Sequence, residues 1–388
     1  MDSLQLTAFH LNTTGTKEKN MKTAFVWHES YAWHNTGNAA LIIPSDGKSI
    51  QSDTHAEDPE TKRRFRNLLE MSGLYPQLTH ILPRMATEAD ILRVHSIEHL
   101  ENIKHLSANG GGETGILTVV GNGSYEIAML SAGGLLAMID AIMADEVDNG
   151  YALVRPPGHH ATRNQAEGFC IFCNSAVAGR YLIDKYDLNR VAFVDWDVHH
   201  GNGTEEAFWD DDKGLTISTH QDRFYPADRG FVEQLGEGKG EGYNINIPLP
   251  PGSGVGAYVK AFEQVVIPAL YKYRPEFIIV PSGFDASAFD PLGRMMMHTD
   301  GYRQITKMLM KAAEDLCDGR IMMCHEGGYS RAYTPFCGLA VVETLSGIRT
   351  DVEDPFLELA AGMGGQSLQP AQQDVINQAE QVVNKYLK

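Results

Sequence analysis

This sequence has no apolar run near the roughly 20 residues needed to cross a bilayer, so no membrane span is expected. Cysteine is scarce and odd in number: Cys170, Cys173, Cys317, Cys324 and Cys337 are the only five in 388 residues. A disulfide framework is therefore excluded, and a reducing, cytoplasmic compartment is expected. Cys170 and Cys173 form a CxxC, but no second CxxC exists to complete a zinc site, and the run Phe169–Cys173 is apolar. That context fits a buried structural pair rather than a redox centre. Basic residues are outnumbered, with 32 Lys and Arg against 50 Asp and Glu, for a net charge of -18. Such a field repels nucleic acid. It can draw in cationic substrates, although solubility alone accounts for it. Ser282 sits between Pro281 and Gly283, so the Gly-x-Ser-x-Gly elbow of a serine hydrolase is missing. Internal repeats and linkers are missing too, and Pro248–Gly256 is a loop too short to separate domains. Residues 1–20 are polar and lack a secretory apolar segment, so a flexible N-terminal extension is expected there.

What is present is a 43% hydrophobic chain with short apolar runs. Strands are expected at Thr23–Trp27, Tyr151–Val154, Val191–Val194, Leu215–Ser218, Asn244–Ile247, Phe277–Val280 and Arg320–Cys324. Most lack strict alternation, as strands covered on both faces do. Helical spacing marks Tyr125–Ala144, Ala257–Tyr273, Gly301–Leu316 and Gln372–Leu387. Strands alternating with helices predict one α/β domain: a mainly parallel sheet with helices on both faces.

Several of these strands end in chemically able residues. Tyr151–Val154 runs into Arg-Pro-Pro-Gly-His159-His160. Val191–Val194 runs into Asp195-Trp-Asp197-Val-His199-His-Gly. Phe277–Val280 leads to Asp285, and Arg320–Cys324 leads to Glu326-Gly-Gly-Tyr329. Ligands of open parallel sheets bind beyond the carboxyl ends of strands, so these four ends can share a pocket. Asp197 and His199 are two apart and point the same way in an extended segment. Asp195 has the same parity and can stand behind them, and Asp285 is the best third ligand. Two carboxylates and an imidazole suit one zinc ion with an open position, and would also take ferrous iron or cobalt. Taken alone, the Asp-x-Asp-x-His pattern equally suits strand-end caps. Adjacent imidazoles at 159 and 160 resist joint protonation, so one can stay neutral and act as base. Tyr329, after two glycines, can donate to an oxygen on which charge develops.

With these motifs assembled, the sequence resembles the histone deacetylase family of the arginase/deacetylase fold. It is most similar to the class II branch and to bacterial histone deacetylase-like amidohydrolases. The resemblance runs from about Met21 to Met363 and rests on Arg155–His160, Gly168-Phe169-Cys170, Asp195–Gly203, Gly283–Ala286 and Glu326–Tyr329. It implies a catalytic domain over residues 21–388. It implies zinc, one ion per chain, on Asp197, His199 and Asp285. It implies a catalytic pair His159 and His160, with Asp195 behind the first and Asn202 behind the second. Asn at 202, Asp in class I relatives, would make His160 less basic. Tyr329 matches the family's oxyanion tyrosine. Phe169 and Tyr225 match the aromatics of the acyl-lysine channel, beside Gly168 and Gly328. Structural monovalent cations, K+ or Na+, are implied at two places: Asp195, Asp197, His199, Ser218 and Thr219; and Phe208, Asp211, Gly214 and Tyr243. Ser287 stands where a second aspartate would serve a binuclear ureohydrolase site.

The implied activity is removal of acyl groups from lysine side chains of peptides or proteins, or from related amines. Two alternatives stand beside it: a small-molecule amidase acting on acetylpolyamines, and a silent module that binds acylated proteins. A homo-oligomer is a further expectation, to which the helix at Gln372–Leu387 could contribute, though packing on its own domain is the default.

Overall fold

The computed structural model describes residues 21–44 and 46–387, so the extension expected at 1–20 lies outside the described residues. Eight strands form the main sheet: β1 (Thr23–Val26), β2 (Thr79–Ile81), β3 (Asn149–Ala152), β4 (Val191–Asp195), β5 (Gly214–Gln221), β6 (Asn244–Leu249), β7 (Phe277–Ser282) and β8 (Ile321–His325). Their spatial order is β6-β5-β4-β7-β8-β3-β1-β2, and every neighbouring pair is parallel.

Period-2 geometry explains why the runs look continuously apolar. Phe25 enters one core, while Ala24 and Val26 enter the other. Along β7, Ile278 and Val280 face the first core, and Phe277 and Ile279 the second. A strand flanked by two dry layers must be apolar at every position. The helix Ser124–Met143 fills the second layer. Its length and mean hydropathy of 1.6 would suffice to cross a membrane, contrary to the reading that no segment approaches that limit. Here it is a mostly buried core helix.

The expected strands and long helices are present, with shifts of a few residues. The sequence reading missed β2, a polar and largely exposed edge strand of three residues. Pro248 and Leu249 belong to β6 rather than to a loop, and Val255 already starts a helix. The segment 257–273 is not one regular helix: a π-turn at Phe262–Val266 joins Val255–Ala261 to Ile267–Tyr273. The C-terminal helix Pro370–Tyr386 buries Ile376, Ala379 and Val383 in the chain's own first core.

One charged group stands out in this interior. Arg155 is fully buried, and its Nε lies 3.0 Å from both carboxylate oxygens of Glu57. Lys62 Nζ, equally buried, donates to Glu57 at 2.8 Å. Arg155 also donates to the carbonyls of Tyr31 and His34, so the segment before Glu57 is pinned to the turn that carries the histidines. Replacing Glu57 by Ala would strand two buried cations. Loss of about 3–5 kcal/mol of stability is expected, read as a lower urea midpoint.

Candidate metal and acyl-transfer site

The carboxyl ends of β3, β4, β7 and β8 converge. His199 Nδ1 lies 3.1 Å from Asp197 Oδ1 and 3.1 Å from Asp285 Oδ2. One ring nitrogen cannot donate to both, but three electron-pair donors facing one point is what a cation requires. The donor atoms lie within 4.8 Å of one another, and the residues are buried. Backbone N–H groups fix the carboxylates: Val198 donates to Asp285 Oδ1 at 2.8 Å, and Gly327 to Asp197 Oδ2 at 2.8 Å. Burial, then the charge of Asp197, pushes the Asp285 carboxyl up to about 6. Burial works against a charged His199, yet Asp197 and Asp285 outweigh it and raise the imidazole to about 10. A divalent ion would relieve the repulsion between the two carboxylates. The donor set therefore fits such an ion.

Beside this cluster lies the histidine pair, with ring centroids 3.9 Å apart. His159 Nδ1–H donates to Asp195 Oδ2 at 2.9 Å, and its Nε2 lies 3.9 Å from Asp197 Oδ1. Burial opposes its charge, but Asp197 and Asp195 raise it to about 10. His160 Nδ1–H donates to Asn202 Oδ1 at 2.8 Å, leaving Nε2 with its lone pair. The amide of Asn202 is oriented by its own donation to Glu167 at 2.7 Å. Burial, then His159 and His199, holds His160 well below the usual imidazole range. Without an ion on Asp197, the acidic neighbours thus favour the charged form of His159, and burial the neutral form of His160.

Aromatic rings wall the approach. Phe169 meets Tyr329 edge-on at 5.8 Å, and Tyr225 meets His160 at 4.9 Å. Phe169 and Tyr329 cluster with Ala56 and Leu292. Gly168 leaves room where a Cβ would strike the His160 ring at 2.3 Å. Gly328, at φ +124°, occupies a backbone conformation that other residues rarely adopt. Ser282 and all five cysteines are buried and the cysteines are free thiols, which disfavours a nucleophilic hydrolase.

The residues of the first expected monovalent-cation set are adjacent: Asp195 pairs with Ser218 across β4 and β5, and the buried Thr219 hydroxyl has no partner among the described residues. In the second set, the Phe208 carbonyl accepts from Asp211 N, the Asp211 carbonyl from Gly214 N and the Tyr243 carbonyl from Thr216 N.

Several supporting residues escaped the sequence reading. Glu326 Oε2 accepts from Gly158 N at 2.6 Å and His159 N at 3.1 Å, holding the turn that carries the pair. Burial raises this carboxyl to about 7 against the opposing pull of His159. Its place in Glu-Gly-Gly-Tyr was the available signal. His159, Cys170 and Glu326 also lie within ligand distance, but these backbone donors already engage the carboxylate. Asp290 Oδ2 accepts from Tyr329 N at 2.7 Å, and Phe224 stacks on His199 at 5.4 Å. A cavity of about 930 Å³ lies away from this chemistry, at the opposite strand ends beside Asn149 and Ile321.

A model of the histone deacetylase domain matches residues 55–345. The chain belongs to the histone deacetylase family. A histone deacetylase-like amidohydrolase of Pseudomonas aeruginosa is 49% identical over 343 residues, covering 87% of this chain and 90% of the relative. A probable deacetylase of Archaeoglobus fulgidus is 34% identical over 330 residues, covering 84% of this chain and 87% of the relative. Among solved structures, the crystal structure of the HDA15 HD domain superposes with a TM-score of 0.82 at 30% identity, over 95% of this chain and 96% of that one. The matched residues 55–345 include every strand of the parallel sheet except β1, and the four strand ends around the site.

A Cβ on Gly327 would lie 2.0 Å from Asp285 Oδ2, and one on Gly283 2.0 Å from Asp197 Oδ2. Gly327→Ala should therefore weaken metal affinity by on the order of 100-fold, as loss of support around metal ligands does. Competition titration against a chromogenic chelator would measure it.

Proposed function

We propose that this chain is a zinc-dependent deacetylase that removes acetyl or other acyl groups from lysine side chains or related amines. The observation that carries the proposal is the meeting of three ligand atoms beside two adjacent imidazoles, each hydrogen-bonded through Nδ1, and beside the turn that bears Tyr329. Asp197, His199 and Asp285 would hold the ion. When bound, it supplies a Lewis acid and brings the pKa of water from 15.7 toward about 7.

The protein's own groups do the rest. His160 keeps its Nε2 lone pair free because Asn202 takes the Nδ1 proton as a hydrogen bond, so it can accept a proton from water. Asp195 stabilises the imidazolium of His159, whose charge opposes a second positive charge on His160. A proton taken up by His160 is thus readily passed on to the leaving amine. The Tyr329 hydroxyl donates to the amide oxygen as negative charge develops there. Asp290 fixes the backbone of Tyr329, so the ring stands against Phe169 without searching for its position. Phe169 and Tyr225 exclude water from the alkyl chain of the substrate and so strengthen these polar contacts. To the two residue sets described above, one at the ends of β4 and β5 and one around Phe208 and Tyr243, we assign structural K+ or Na+. The intact set of groups favours catalysis over silent binding.

Two outcomes are expected. Tyr329→Phe should lower kcat by on the order of 100- to 1000-fold with metal content unchanged; a variant of full activity would remove the oxyanion role. Exhaustive chelation should abolish acetate release from an acetyl-lysine peptide, and one equivalent of zinc should restore it; undiminished hydrolysis by metal-free protein would defeat the proposal.

A further inference from the structure

Four large apolar side chains stand exposed on two segments that border Phe169: Leu41 (42% exposed), Ile43 (54%), Ile116 (52%) and Leu117 (39%). They come from two separate segments, and each segment is tied to the channel wall. Between Leu41 and Ile43, Ile42 packs on the cluster of Ala56, Phe169, Leu292 and Tyr329. The Leu41 carbonyl accepts from Ala56 N at 2.8 Å, and the neighbouring His55 ring meets Phe169 at 5.1 Å. On the other side, the Ile116 carbonyl accepts from Gly168 N at 3.0 Å, and Thr118 Oγ1 accepts from Phe169 N at 3.1 Å. The exposed residues are therefore continuous with the aromatic cluster of Phe169 and Tyr329.

Backbone conformation gives a second, independent indication. Leu41 has φ 62°, Leu117 φ 57° and Phe169 φ 71°. Leucine is costly in this left-handed region, where Gly or Asn would be at ease. Such strain collects at functional sites. Here it holds a leucine at each side of Phe169, with an apolar side chain turned to solvent. Solubility alone would favour glycine or asparagine at both places.

We propose that Leu41, Ile43, Ile116 and Leu117 form an apolar collar that selects acyl-lysine residues whose neighbours in the peptide carry aliphatic or aromatic side chains. An acyl-lysine flanked by Leu or Phe is such a substrate, and an acylated polyamine is not. This inference rests on the deacetylase reading above and names its substrate class. The collar touches the body of the substrate, while the catalytic groups act on the amide at the channel's end.

The test uses metal-loaded protein and acetyl-lysine peptides that differ only in the flanking residues: Leu or Phe, Gly, Lys, or Asp. The natural chain should prefer Leu or Phe over Gly by on the order of tenfold in kcat/KM, a few CH₂ groups' worth of contact. Leu117→Gly and Leu41→Gly relieve the strained φ, so they should fold at least as well, which thermal melting checks. Each should bring the preference close to unity while leaving kcat/KM on the Gly-flanked peptide unchanged. Equal rates on all peptides, or a preference untouched by both variants, would overturn the collar. So would a change in oligomeric state of these variants with the preference intact, because a second copy would then be what covers it. If no peptide is cleaved at all, the deacetylase reading itself fails and the collar falls with it.

Discussion

Asp197 and Asp285 repel one another, are shielded from water, and must still present their oxygens to the same point as His199. Much of the surrounding detail answers that conflict. Peptide N–H groups from Val198 and Gly327 each claim one carboxylate oxygen, so neither carboxylate can rotate away. Gly283 and Gly327 have no side chain because any Cβ would occupy the oxygens' own space. The motifs around the site are therefore packing requirements as much as chemical ones. A cation completes an arrangement whose repulsion the protein alone does not remove.

The parallel sheet makes this possible. Parallel strands deliver their carboxyl ends to one side, and adjacent registers bring distant segments together. β4 ends at Asp195 and leads to Asp197 and His199, its neighbour β7 leads to Asp285, and β8 leads to the Glu-Gly-Gly-Tyr turn. Glu326 then reaches back to hold Gly158 and His159, so the phenol-bearing turn and the imidazole-bearing turn are fixed against each other. Buried Arg155 and Glu57 extend the same frame outward to the segment that borders the channel.

Much of this was legible in the chain. Two-sided strands announce themselves as unbroken apolar runs. Asp197 and His199 do meet, although the strand ends at Asp195 and the segment 197–199 bends, so the extended geometry assumed from their spacing is not what joins them. The third ligand is different: Asp285 lies far along the sequence, and only its position after a strand suggested it. The structure brings the three together. What stayed hidden has physical reasons. Glu57 and Lys62 look like surface charges, because charge in a sequence does not say whether a partner will neutralise it. β2 has neither apolar content nor length, since an edge strand need bury little. Glu326 stands within the Glu-Gly-Gly-Tyr motif, but a carboxylate serving backbone N–H groups has no pattern of its own. The π-turn at Phe262–Val266 leaves the helical apolar spacing nearly intact and so gives no break to read.

The two margins of the sheet are finished in opposite ways. All six residues of β6 are buried, and the C-terminal helix lies over that side through Ile376, Ala379 and Val383. β2, at the far margin, offers only three residues, two of them exposed and polar. A free strand edge is an open invitation to pair with another chain. The buried β6 and the short, polar β2 make the main sheet a poor template for continuation across copies. An assembly built on other surfaces could be gained or lost without disturbing the hydrogen-bonded ladder that aligns the reacting groups.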